Sequence, residues 1–165
     1  MSYERQLEPT SLRECATLAS EMFKSRLFSA YGTPQGVLST ILAGREMGLS
    51  AMASLRGFFI VEGKPTLSAD LIRALVIRSG KAKFFRPVER TAERATWETQ
   101  RGDDPPFTLS YTIEEARIAG LIKKGSGWEK SPADMLTARA SAKLARLIYS
   151  DIVFNLYDPT EVENS

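Results

Sequence analysis

The chain has 165 residues, one cysteine, no histidine and a formal net charge of +2. That length buries a proper core without a disulfide or structural metal, and the composition excludes histidine-based catalytic triads, histidine-containing zinc sites and all-thiolate metal sites. With no charged-then-apolar leader and no apolar run long enough to span a bilayer, we expect a cytoplasmic protein that does not enter the membrane.

Taken in chain order, Ser11 and Glu14 form a capping box, and Leu12, Cys15, Ala16, Ala19, Met22 and Phe23 follow at helical spacing, predicting a first helix in which Cys15 is a small core residue. Thr33-Pro34-Gln35 opens a second helix that uses Val37, Leu38, Ile41 and Leu42 and closes at Gly48. The period then changes. Phe58 to Val61, Glu62-Gly63-Lys64 and Pro65 to Leu67 read as a β-hairpin, with Pro65 tolerable at an edge or a strand start. Ser68 caps a third helix through Leu71, Ile72, Leu75, Val76 and Ile77, ended by Gly80. Three strands follow over 81–90, 95–101 and 107–112, with Arg101-Gly102-Asp103-Asp104-Pro105-Pro106 as the turn between the last two. Thr112 and Glu115 form a second capping box, opening a helix that Gly120 ends. A fifth helix starts at Ser131-Pro132 and runs towards Tyr149. Strands grouped between runs of helices predict an α+β fold: an antiparallel sheet, made of a β-hairpin plus a three-stranded meander, packed with about five helices.

Charge divides unevenly along the chain. Residues 1–44 are balanced, residues 45–146 carry 18 Lys/Arg against 12 Asp/Glu, and residues 147–165 carry four acids and no base. A basic middle with an acidic end fits a polyanionic partner and a tail able to compete for the same surface, while an ordinary solvated surface is the competing reading. The strand region contributes Arg78, Lys81, Lys83 and Arg86 around Phe84 and Phe85, a mixture of cations and aromatic faces suited to a single strand. Phe84 and Phe85 point to opposite faces, so at least one of them is expected in the core. The fifth helix is more specific. Leu136, Ala140, Leu144, Leu147 and Ile148 form an apolar sector, and Arg139, Lys143 and Arg146 form an adjoining cationic one, with no acid between Met135 and Tyr149. Ala138, Ala142 and Ala145 allow another backbone to approach the far side. A loop with Lys123 and Lys124, followed by Lys130, leads into this helix.

Gly57 to Lys64 is not a phosphate loop: five residues separate its glycines and Pro65 stands where the metal-binding hydroxyl belongs. No cofactor is expected. Glu62-Gly63-Lys64 spells the Glu-x-Lys of a metal-dependent nuclease, but Gly63 falls in a hairpin turn and no aspartate precedes Asp70. Asp103-Asp104 reads as a solvated turn. The competitors to a DNA-binding role are therefore that nuclease, using Glu62 and Lys64, and a non-enzymatic scaffold whose basic stripe binds an acidic partner.

Met47-Gly48-Leu49, Gly63 to Ala69, Ala116 to Leu121, Trp128 to Pro132, Met135 to Ala140, Asp151 and Tyr157-Asp158-Pro159 occur in an order and spacing, over about residues 43–160, that resembles the phage RecT-type single-strand annealing recombinases. The resemblance implies an α+β domain, placed here over 1–157, and residues 158–165 read from their composition as a short acidic tail. It also implies a non-enzymatic protein of a phage or its bacterial host that binds single-stranded DNA without ATP and anneals complementary strands in homologous recombination. Oligomers in rings or filaments, annealed duplex DNA, and a phage exonuclease or host single-strand binding protein are the implied partners. Carried onto this sequence, backbone contact falls to Arg139, Lys143 and Arg146, with Lys123, Lys124 and Lys130 contributing; no residue is catalytic and none binds a metal.

Overall fold

A computed structural model describes residues 7–61, 64–154 and 156–159. The fold is α+β, and the chain divides into two compact units, one ending at Ile60 and one starting at Val61.

The first unit holds α1 (Leu12–Lys24), a 3-10 turn (Ser29–Tyr31), α2 (Pro34–Glu46) and α3 (Ala51–Gly57). The Ser11 hydroxyl accepts from the Glu14 amide, as a capping box requires, but the Glu14 carboxylate reaches one residue further back, to the Thr10 amide at 2.6 Å. Cys15, Ala19, Val37, Ile41, Ala51 and Leu55 make the core. Leu12, expected inward, is instead exposed, because the buried stripe of α1 is confined to the Cys15–Ala19 side. Tyr31 shares its hydroxyl proton between the carbonyls of Leu55 (2.7 Å) and Phe58 (2.6 Å), and burial raises its pKa. Helix α3 begins at Ser50, whose hydroxyl accepts from the Ala53 amide.

Where α2 meets α3 the backbones come very close. A Cβ on Gly44 would lie 1.8 Å from the Ser54 hydroxyl oxygen, and Ser54 is completely buried with that hydroxyl bonded to the Ser50 carbonyl at 2.7 Å. The glycine here provides space, not conformational freedom.

The unit boundary falls in β1 (Phe58–Val61), which forms a two-stranded sheet with β2 (Lys64–Leu67); Glu62 and Gly63, expected as the turn between them, lie outside the described residues. The second unit continues with α4 (Ala69–Arg78), β3 (Ala82–Arg90), β4 (Arg94–Arg101), β5 (Phe107–Thr112), α5 (Ile113–Ile118), α6 (Gly127–Lys130), α7 (Pro132–Ile148) and α8 (Ser150–Val153). Strands β3, β4 and β5 form an antiparallel meander with Phe85 opposite Thr99, Arg86 opposite Glu98 and Ala95 opposite Tyr111. The two-residue period gives the sheet an inner face with Phe85, Ala95, Trp97, Thr99 and Tyr111, all buried, and a polar outer face with Arg86, Glu98 and Ser110. Phe85 is the core member of its pair and Phe84 faces outward.

Helix α7 lies across the inner face, chiefly over β4 and β5, and packs along α4. Its apolar side differs from the expected sector. Leu136, Ala140 and Leu144 are buried, but Leu147 is 59% exposed, and burial extends around through Ser141, Ala142 and Ala145 instead. The small residues admit α4, from which Arg73 reaches the Ser141 hydroxyl at 2.9 Å while its guanidinium sits 5.2 Å from the Trp97 ring centre. Burial lowers the Arg73 pKa, and the nearby charge of Asp158 opposes that shift.

Single-turn helices α6 and α8, with α3, account for the excess over the five helices expected. Tyr149 follows α7, is fully buried and shares a 2.6 Å hydroxyl bond with Thr99. The Arg101 guanidinium then donates to the Ile148 carbonyl at the end of α7 and, in bidentate fashion, to Asp151 of α8 at 2.8 and 2.9 Å. Lys81 reaches the same carboxylate at 2.5 Å. The residues ending the chain begin as part of this unit: Tyr157 forms a parallel bridge with Thr66, its carbonyl accepts from the Leu67 amide at 2.9 Å, and Asp158, the first residue of the expected tail, is 4% exposed. Residues 160–165, the remainder of that tail, lie outside the described residues.

Replacing Gly44 by Ala is expected to destabilise the first unit by about 1–3 kcal/mol through overpacking against Ser54. Urea unfolding at matched m-value checks this, and an unchanged midpoint would refute the close approach.

Hydrogen bonds from Arg101 and then Lys81 hold the Asp151 carboxyl well below the ordinary carboxylate value of 3.8. A carboxyl whose folded pKa is depressed contributes stability that is complete above its unfolded value and lost as pH falls through the folded one. Stability measured from pH 5 down to 2 is therefore expected to decline less steeply in Asp151→Asn, which has already lost that contribution at neutral pH.

Candidate nucleic-acid interface

The cationic flank of α7 is built by helix pitch. Arg139, Lys143 and Arg146 follow each other at i, i+4 and i+7, within about 10 Å along the axis. All three are half-buried, and each cationic group lies over an aromatic ring. The Lys143 ammonium is 4.8 Å and the Arg139 guanidinium 5.6 Å from the centre of the same ring, Tyr111 on β5. The Arg146 guanidinium is 4.6 Å from the centre of Tyr157.

Tyr111 also ties this flank to the preceding lysine loop. Its ring centre is 6.3 Å from that of Trp128, which is 3% exposed and begins α6 between Gly127 and Lys130. Gly127 lies close against Met135 of α7: a Cβ there would meet the Met135 sulfur at 3.0 Å. The Glu129 carboxylate accepts from the Gly125 amide at 2.6 Å and closes the loop on itself. Lys123, Lys124 and Lys130 are exposed around this anchored turn. Thus Arg139 and Lys143 are joined to the lysine loop through the Tyr111–Trp128 contact.

The strand cations are placed differently. Lys81 is held by Asp151, and Lys83 pairs with Asp103 at 2.8 Å in the β4–β5 turn. Arg86 pairs with Glu98 at 2.9 Å, stacks 4.6 Å from Phe84, and stands on the outer face of the sheet, away from α7. Arg78 is exposed at the end of α4. Arg90, further along β3, pairs with Asp134 in the first turn of α7. The residues that sequence patterning did not single out are Tyr111 and Tyr157, the rings under the α7 cations. Tyr111 was legible only as the inward member of an alternating strand, and Tyr157 only as part of the Tyr-Asp-Pro motif.

Among the described residues, no group of three or more His, Cys, Asp or Glu side chains is placed to hold a metal ion. Glu62, the carboxylate of the nuclease alternative, lies outside the described residues. No helix among the described residues is long and apolar enough to cross a membrane. No protein-family model matches the chain, and no curated protein gives a significant match.

A cation lying over a partly desolvated ring contributes roughly 0.5–2 kcal/mol. Tyr111→Leu keeps an apolar side chain under α7 and removes the ring, so a stability loss of about 1–2 kcal/mol is expected. A double-mutant cycle with Lys143→Met should show non-additivity, and strict additivity in denaturant titrations would mean that the ring and the ammonium do not interact.

Proposed function

We propose that this protein binds single-stranded DNA and anneals complementary strands without a nucleotide cofactor, as the resemblance to the phage RecT-type recombinases implies. The observation that carries this reading is the row of Arg139, Lys143 and Arg146 on a helix with no acid from Met135 to Tyr149, joined through Tyr111 and Trp128 to a loop with exposed Lys123 and Lys124.

A row about 10 Å long matches the backbone of about three nucleotides at the rise of one strand of B-DNA. Phosphate neutralisation by these cations, with Lys130 and the loop lysines extending the contact, releases condensed counterions and holds the strand by its backbone. Contact through the backbone leaves the Watson–Crick edges open. A second strand then tests pairing against the bound one, and duplex stacking drives the product forward. No covalent bond is made or broken, so the chemistry calls for neither a nucleophile nor a metal. Action in homologous recombination, in the cytoplasm of a phage-infected bacterium, belongs to this proposal. So do assembly into rings or filaments and cooperation with a phage exonuclease or a host single-strand binding protein.

The test is the salt dependence of binding. Replacing Arg139, Lys143 and Arg146 together by Ala is expected to weaken binding to a single-stranded oligonucleotide and to flatten the log–log salt slope by about 2, at about 0.7 per lost phosphate contact. The intact protein should also accelerate annealing of complementary oligonucleotides without ATP. An unchanged salt slope in a variant with native circular dichroism would remove α7 from the DNA site, and annealing at the uncatalysed rate would overturn the function.

A further inference from the structure

Tyr157 combines two properties that rarely coincide: its backbone is fixed and its side chain is open. The carbonyl accepts from the Leu67 amide at 2.9 Å, and the residue bridges Thr66, which is completely buried, yet Tyr157 itself is 51% exposed. Phe154, three residues earlier at the end of α8, is a bulky residue in the left-handed region at φ 50°. Over the Tyr157 ring, 4.6 Å from its centre, lies the guanidinium of Arg146, the last cation of the α7 row. By contrast, the ring under Arg139 and Lys143 is closed to any base, since Tyr111 is 4% exposed.

We infer that Tyr157, backed by Arg146, is the stacking platform for a nucleobase of the single strand whose backbone follows the α7 cations. The inference rests on the DNA-binding reading above and adds a contact to the base, where that reading has contacts to the phosphates alone. An aromatic ring presents a π face that every base matches, so the contact is indifferent to sequence. The fixed backbone leaves little side-chain freedom to lose on binding, because a tyrosine has only two side-chain torsions. Arg146 polarises the ring from one side, and a base on the other side completes a guanidinium–ring–base stack. Phosphate and base contacts then meet at one residue pair, which sets the base beside Arg146 in a defined position and leaves its pairing edge outward.

Two strands of equal length separate this inference from the reading beneath it: one normal oligonucleotide carrying a single 2-aminopurine, and one with abasic sites in place of its bases. The full-length protein is expected to quench the 2-aminopurine fluorescence and to bind the base-bearing strand about tenfold more tightly than the abasic one. Tyr157→Leu should remove most of that preference while leaving the salt slope unchanged, and Tyr157→Trp should retain it. Equal binding of both strands by the wild-type protein, or a preference that survives Tyr157→Leu, overturns the platform and leaves backbone binding standing. Failure of the wild-type protein to bind either strand overturns both. Should the leucine variant not fold, equal binding of both strands by the wild-type protein, or loss of the preference in Tyr157→Trp, still overturns the platform.

Discussion

A helix can be enclosed on nearly every side only where its side chains are small enough for neighbouring backbones to approach, and α7 meets that condition with Ala140, Ser141, Ala142 and Ala145, all fully buried. The second unit depends on this enclosure. Helix α4 uses it to bring Arg73 against Ser141 and Trp97, β4 uses it to place Thr99 against Tyr149, and Arg101 closes its carboxyl end. Leu136 and Leu144 fill the buried side together with these small residues, and the longer cationic side chains run along the flank beside Tyr111 and Tyr157. Arg139, Lys143 and Arg146 occupy that flank, and the packing that buries the helix is what aligns them.

Much of this was legible in the sequence because it rests on local rules. The capping box at Thr112 and Glu115, the proline opening α7, the alternation of β4 and β5 and the turn at Gly102 each fix a boundary from a few adjacent residues. Single-turn helices escaped because a periodic pattern needs more than the four residues of α6 or α8 to emerge. The apolar sector of α7 was misplaced at Leu147 for a different reason. Hydrophobicity ranks leucine above alanine, whereas the two-sided packing of this helix selects for smallness, so the buried arc follows the alanines. The cationic row was legible from spacing alone, but the rings beneath it were not, since they come from β5 and from the segment after α8.

Counting charge along the sequence also overstated how many cations face outward without an acid. The excess over residues 45–146 is real, yet Lys81, Lys83, Arg86 and Arg90 each meet an acid at least a dozen residues away, Lys83 meeting Asp103 in the β4–β5 turn. Such pairs contribute little to stability when exposed. Their effect is on the field: each carboxylate cancels most of the attraction its partner exerts on a distant polyanion. The strand run and the helix row look alike as counts of Lys and Arg, and on the helix row each cationic group also lies over an aromatic ring.

In the proposed function α7 is the surface for a phosphate backbone. A cation over an aromatic ring is oriented by the ring's quadrupole and keeps its formal charge. Lys143 and Arg139 lie over Tyr111, and Arg146 over Tyr157, in this way. The rings restrict the side chains before a ligand arrives, reducing the ordering entropy on binding. Aromatic rings from β5 and from the segment after α8 thus orient the cations of a helix whose own sequence carries no acid from Met135 to Tyr149.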